Sequence, residues 1–137
     1  MIIRDVRESD LNLIRDSFVR SVKDVCSDIT NGLSTNALRL LLDKAILGGW
    51  SCNVLCEQDT QDEVMAWIVH RRSDLIWLLR KPRFKGMKLG QTLLNGCIPR
   101  GTINCAFMNT RLTQRLLSLG YNCKLRPYIT TEIMSYD

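Results

Sequence analysis

The chain has 137 residues, 45% of them hydrophobic and 24% charged, with a formal net charge of +5. That size suits one domain over residues 1–137 with a real core, in the composition range of ordinary soluble globular proteins. No apolar run approaches the ~18 residues that a membrane span needs, and the charged start Met1-Ile2-Ile3-Arg4-Asp5 is unlike a signal peptide, so a cytoplasmic protein is expected.

Residues 2–6 carry the β-branched pattern of a short strand. Arg7-Glu8-Ser9-Asp10 breaks it, and Ser9 or Asp10 can cap a helix. Leu11, Ile14, Phe18, Val22 and Val25 recur at helical spacing and predict that helix to about Asp24. After an Asn31-Gly32 turn, Ser34 or Thr35 caps a second helix that bears Leu38, Leu41, Leu42 and Ala45 and ends at Gly48-Gly49. Residues 51–57, 64–70 and 75–80 read as neighbouring antiparallel strands joined by polar turns at 58–62 and 71–74. A basic loop over 81–88 leads to a helix over 89–98, stopped by Pro99-Arg100-Gly101. Residues 102–107 form a strand. Asn109 opens a helix whose apolar face is Leu112, Leu116, Leu117 and Leu119, closed by Gly120. Residues 121–125 and 128–134 read as the last two strands, hinged at Pro127.

The predicted order is β-α-α-β-β-β-α-β-α-β-β, an α/β (α+β) domain with a mixed, mostly antiparallel sheet and about four helices. The strands before and after the loop-helix unit should run parallel, joined by a right-handed crossover.

The six cysteines (Cys26, Cys52, Cys56, Cys97, Cys105 and Cys123) form no C-x-x-C pair, and His70 is the single histidine. Cys52 and Cys56 share a strand face, which is poor zinc geometry. No metal site is therefore expected, and the thiols read as small buried hydrophobes. Asp74, Glu57 and Glu63 read as turn residues and His70 as a solvated side chain at a hairpin end. Trp67 and Trp77 read as cross-strand packing.

The chemistry concentrates in Arg80-Lys81-Pro82-Arg83-Phe84-Lys85-Gly86-Met87-Lys88-Leu89-Gly90-Gln91. A strand end, a glycine-punctuated loop and a helix start together make an anion seat: backbone N–H groups point out of the first turn and the helix dipole adds partial positive charge. Lys85 and Lys88 add full charges, so the stretch suits a phosphorylated ligand. The excess of Lys and Arg equally suits an acidic macromolecular partner.

Residues 78–90, Leu78-Leu79-Arg80-Lys81-Pro82-Arg83-Phe84-Lys85-Gly86-Met87-Lys88-Leu89-Gly90, resemble motif A of the GNAT-type N-acetyltransferases: strand, Pro, aromatic, Arg-Gly-x-Gly-x-Gly or Ala, then helix. Pro82, Phe84, Gly86 and Gly90 fall in register. Lys85 stands where the family usually has Arg or Gln, and Lys88 takes the place of the middle glycine. Residues 109–121 are similar to the family's other signature, with Asn109, Gly120 and Tyr121 in register. Leu116 sits where many members have a tyrosine that protonates the departing CoA thiolate. The predicted element order is also the family's, so the resemblance spans the chain.

The resemblance implies acetyl-CoA as co-substrate and direct acetyl transfer to an amine of a small-molecule or protein acceptor, and the family often forms homodimers. It implies cofactor contacts from the backbone of Leu78, Leu79 and Arg80, from the pyrophosphate loop Lys85, Gly86, Met87, Lys88, Leu89, Gly90 and Gln91, and from Asn109 at the pantetheine or thioester end. No base is assigned. Tyr121 is the candidate acid, with core packing as its alternative; Tyr128, Cys105 and Cys123 are substitutes that no motif places. Lys88 fits if its backbone is helical, whereas a positive φ there strains the loop by ~1 kcal/mol or more. The second reading keeps the fold without catalysis, as a binding, regulatory or assembly module whose basic loop meets an acidic surface or nucleic acid phosphates.

Overall fold

Strand alternation sends Val54, Trp67 and Val69 to one side of a sheet and Leu55, Ala66 and Ile68 to the other, so both faces need helices to cover them. The computed structural model describes residues 1–25, 34–107 and 110–137. Its elements are β1 (Ile2–Asp5), α1 (Leu11–Val25), α2 (Thr35–Leu47), β2 (Ser51–Cys56), β3 (Ala66–Arg71), β4 (Asp74–Arg80), α3 (Leu89–Cys97), β5 (Thr102–Cys105), α4 (Thr110–Ser118), β6 (Asn122–Leu125) and α5 (Tyr128–Met134). The six strands lie in sequence order in one sheet. β1 to β4 pair antiparallel, whereas β4–β5 and β5–β6 are parallel, as helical crossovers require. The mixed, mostly antiparallel sheet expected from the sequence is present.

On one face α1, α2 and α5 pack through Ile14, Phe18, Leu38, Leu42, Ile129 and Ile133 against Trp67, Val69 and Trp77. Phe18 meets Trp67 and Phe107 edge-on, with ring centroids 6.3 and 6.1 Å apart. Trp67 and Trp77 are more than sheet packing: their indole N–H groups donate to Ser17 Oγ (3.1 Å) and Ser21 Oγ (2.9 Å), pinning α1 over the sheet. On the other face α3 and α4 pack through Leu89, Leu93, Leu94 and Leu116 against Ala66, Ile68, Leu75 and Ile103. Ser34 caps α2 by accepting the Ala37 N–H at 3.1 Å. Among the described residues no helix is long and apolar enough to cross a membrane.

Residues 128–134, expected as the last strand, form α5, which brings the α-helices among the described residues to five. Their sequence suits both periods, because Ile129 and Ile133 are four apart as well as on one strand face. Pro127 decides the entry with φ −61° and ψ −24°, and its carbonyl accepts from Thr130 N–H (3.1 Å) and Oγ1 (2.8 Å). Both isoleucines then bury fully over the α1 face. β6 is left as an edge strand, short and with Asn122 and Lys124 exposed, a composition that discourages further pairing. Beyond α5, Lys44 Nζ donates to the carbonyls of Met134 (3.0 Å) and Tyr136 (2.7 Å), tying the chain end to α2.

His70, expected in solvent, is buried at 8% exposure, with Nε2 3.1 Å from Asn53 Oδ1 and Nδ1 3.4 Å from the Arg72 carbonyl. Burial pushes its pKa below the ordinary value, against the Arg72 carbonyl contact, which raises it. Leu117, expected on the apolar face of α4, is 52% exposed, and Leu116 carries the packing with half-buried Leu112 beside it. Cys26, the Asn31-Gly32 turn and Asn109 lie outside the described residues.

Candidate functional site

β4 is the element from which the site is built. Leu75 opposes His70 and Trp77 opposes Val69, so Ile76 is an extra residue at a register shift. A bulge of this kind bends its strand. Ile76 and Trp77 consequently both enter the α1-side core although they are consecutive. β4 pairs with β5 only through Asp74 and Leu75, the Leu75 carbonyl accepting from Ala106 N–H at 2.9 Å. The rest of β4 runs on without a β5 partner among the described residues. Lys81 N–H bonds the Met65 carbonyl (2.9 Å). By the alternation of an antiparallel ladder, Leu78 and Arg80 therefore turn their backbone groups away from β3, toward the gap.

That gap is a cleft of about 270 Å³. Trp77, Leu78, Leu79 and Arg80 of β4 line it, with Gly90 and Leu94 of α3 and Arg111, Leu112, Arg115 and Leu116 of α4. Of the expected cofactor residues, Leu78, Leu79, Arg80 and Gly90 thus come together. Lys85, Gly86, Met87 and Lys88 are exposed on the loop that leads to α3, and Gln91 is half-buried in its first turn. The Leu89 side chain is fully buried in the core, leaving only its backbone to face a ligand.

The start of α3 has an unusual build. Lys88 is its N-cap with φ +55° and ψ +35°, so of the two conformations considered for this position the left-handed one is adopted. Gly86 has φ +89° and open space where a Cβ would stand. No side chain caps α3 among the described residues, so the N–H groups of Leu89, Gly90 and Gln91 have no cap acceptor. Lys85 and Lys88 have no ion-pair partner among the described residues, whereas Arg83 is held by Glu63. Unfilled N–H groups, a helix dipole and two uncommitted ammonium groups form an anion seat. Arg80 adds a further unmet need: its Nη1 is buried and has no hydrogen-bond partner among the described residues. These features fit a ligand that is anionic at one end and rich in acceptor oxygens.

The acid candidates lie elsewhere. Tyr121 is 1% exposed, and its hydroxyl donates to the carbonyls of Ile98 (2.9 Å) and Leu94 (3.3 Å), locking the end of α3 onto β6. Tyr128 is 56% exposed at the start of α5. Burial pushes the Cys105 thiol up to about 12, with Cys123 adding to the rise, and raises Cys123 too; such thiols are poor donors to a thiolate of ordinary pKa. Leu116, fully buried, occupies the cleft wall. Asp74 is structural, accepting from Asn104 Nδ2 (3.0 Å) and pairing with Arg71 (3.4 Å). Among the described residues no group of three or more His, Cys, Asp or Glu side chains could hold a metal ion.

No protein-family model and no curated protein matches the sequence. Among solved structures the chain is similar to the GCN5-related N-acetyltransferase (aminotransferase, class-II) from Rhodopseudomonas palustris, at 18% identity and TM-score 0.48. The likeness covers 69% of this chain and 61% of that one.

Sequence reasoning missed Arg111 and Arg115. They are four apart and each precedes a leucine of the α4 apolar row, so one helical stripe is cationic and its neighbour apolar. That pairing was the available signal; following the leucines alone hid it.

Proposed function

We propose that the protein is an acetyl-CoA-dependent N-acetyltransferase, acting in the cytoplasm, that transfers an acetyl group to the amine of an acceptor by direct attack. One observation carries this reading: the edge of β4 left unpaired, and the lysine-flanked start of α3 left uncapped, among the described residues meet at a single cleft. Acetyl-CoA supplies the activated thioester. The backbone of Leu78 and Arg80 bonds the pantetheine arm as an added strand would. The N–H groups of residues 86 and 88–91, with Lys85 and Lys88, hold the pyrophosphate through charge-assisted bonds, the Met87 N–H being committed to the Phe84 carbonyl at 3.3 Å. Leu79 and Gly90 shape the walls and Met87 sits on the loop, while the motif resemblance assigns the pantetheine or thioester end to Asn109, which lies outside the described residues. The amine attacks in its neutral form after losing a proton. Thiolate is a fair leaving group, since a free thiol has a pKa of about 8.5, so leucine at position 116 slows its departure without forbidding it.

Calorimetric titration with acetyl-CoA, CoA and 3′,5′-ADP tests this. Micromolar binding that Gly86→Glu and Lys85→Glu abolish is the expected result. Undiminished binding in Gly86→Glu would place the cofactor elsewhere, and no binding at millimolar cofactor would end the proposal.

A second reading has its own support. Leu116 lines the cleft and the Tyr121 hydroxyl is committed to two carbonyls, so no acid is at hand among the described residues. On that reading the domain is a binding, regulatory or assembly module. Its exposed Lys85 and Lys88 then dock on an acidic macromolecule, in an association that weakens with salt and without turnover of any amine.

A further inference from the structure

A second cavity, about 340 Å³, lies on the α1 face of the sheet and shares Leu79 and Arg80 with the cleft. Its size is at the small end of ligand pockets, which run from about 300 to 1,000 Å³, and suits a small molecule rather than a folded partner. One wall is a single stripe of α1 that includes Ser17, Arg20, Ser21 and Asp24. The two hydroxyls are already committed. Each accepts an indole N–H from the sheet and donates back to a helix carbonyl, Ser17 to Leu13 O and Ser21 to Ser17 O, both at 2.7 Å. The polar groups left for a ligand are Arg20, Asp24, Arg80 and Lys81. None of the four side chains has an ion-pair or hydrogen-bond partner among the described residues; Arg20 and Asp24 are exposed, and Arg80 and Lys81 are half-buried. Trp67, Leu79 and Pro82 supply apolar surface between them.

Three cations facing one carboxylate over an apolar floor describe a recognisable complement. We infer that the acceptor of the proposed acetyl transfer is an amine bearing a carboxylate and an apolar body, in the manner of a free hydrophobic α-amino acid. Asp24 receives the ammonium group, Arg20, Arg80 and Lys81 receive the carboxylate, and Trp67 and Leu79 cover the side chain. A plain amine would use Asp24 and the apolar floor but leave Arg20, Arg80 and Lys81 without the anionic partner that a carboxylate gives them through charge-assisted bonds. The inference rests on the acetyltransferase reading for the identity of the second substrate, and on this cavity alone for its chemistry.

The test is equilibrium binding of L-leucine, L-leucinamide and 3-methylbutylamine, which share the amine and the apolar body and differ in the carboxylate. It is read from the Trp67 indole N–H resonance and by calorimetry, with and without CoA. Leucine is expected to bind at least about tenfold more tightly than either analogue. Arg20→Gln and Lys81→Gln should each remove about tenfold of that preference and leave CoA affinity unchanged. Equal binding of leucine and leucinamide, no saturable binding of leucine, or an undiminished preference in both variants would overturn the inference while leaving CoA binding untouched. Carboxylate-dependent binding in a protein that binds no CoA would support the cavity and refute the transferase reading instead.

Discussion

Lys88 lets backbone strain be separated from side-chain charge. Its φ of +55° and ψ of +35° lie in the left-handed region, where an L-residue pays about 1–2 kcal/mol through crowding of its Cβ. The side chain is exposed and makes no ion pair among the described residues, so little contact energy is at stake. Lys88→Gly removes the crowding but gives the unfolded chain about 0.4–1 kcal/mol more entropy to lose. The net gain should be about 0.5–1 kcal/mol. With m near 1.5 kcal/mol/M, that moves the urea midpoint up by about 0.5 M at unchanged slope. Lys88→Asn, which tolerates the left-handed region, should gain a similar amount. Lys88→Val adds a β-branch where φ is positive and should lose more than about 1 kcal/mol. If the glycine variant is less stable than the parent while the valine variant is neutral, residue 88 is not held left-handed. Cofactor titrations then separate the two roles. A loop that binds through backbone N–H groups keeps most of its affinity in Lys88→Gly and loses it in Lys88→Val, whereas a loop that binds through the ammonium group loses it equally in both.

Three further predictions concern groups elsewhere. Because His70 is buried with its pKa depressed, the unfolded chain takes up its proton first; the stability tied to neutral His70 is present above pH 6.5, the ordinary value, and is lost as pH falls through the folded pKa. His70→Gln should therefore flatten the decline of the urea midpoint below pH 6.5, and an unchanged decline would show that the ring is solvated after all. For Asp10, burial pushes the carboxyl up, but hydrogen bonds from Arg4 (2.8 Å) and the Arg7 N–H (2.8 Å) outweigh it and the pKa ends below the ordinary 3.8. Its stabilisation is present above pH 3.8 and disappears as pH falls through the folded pKa, and Asp10→Asn should cost on the order of 3 kcal/mol at neutral pH by removing the counter-charge of Arg4; a loss below a few tenths would mean that the Gln61 and Asp5 carbonyls satisfy the guanidinium without it. Leu116→Tyr puts a hydroxyl into the cleft wall: overpacking should cost about 1–3 kcal/mol of stability, and if thiolate departure limits turnover, kcat should rise by about 100-fold. A folded variant with unchanged kcat would show that another step is limiting.

The elements that were legible in the sequence are those with one period and clear punctuation. Ile14, Phe18 and Val22 face the sheet because nothing else in α1 competes for that side, and Ser34 and Gly48-Gly49 mark the ends of α2 by chemistry that only termini need. Ile129 and Ile133 satisfy both periods, so the choice between strand and helix rests on Pro127 and on the space over the α1 face. The bulge at Ile76 left no trace, since Leu75 to Leu79 is an unbroken apolar run without a period to interrupt. At the candidate site, the loop and the helix start were readable because glycine and proline announce them. Arg111 and Arg115 were not, because their reach into the cleft depends on how α4 lies against β4, which no local pattern encodes.

Local rules are broken at three places in the described structure: Arg72, in the turn before β4, is left-handed at φ +55°, and the other two breaks lie at the end of β4 and the start of α3. A lysine holds a backbone conformation that suits glycine, and an arginine nitrogen is buried without an acceptor among the described residues. Other buried donors nearby are satisfied: both indoles find serines, and the Tyr121 hydroxyl finds two carbonyls. The place of Arg80 weighs between the two functional readings. An acidic macromolecule can meet exposed Lys85 and Lys88 on the loop, whereas Arg80 lines both the cleft and the neighbouring cavity, whose volumes of about 270 and 340 Å³ suit small molecules, and that placement favours small-molecule chemistry over docking.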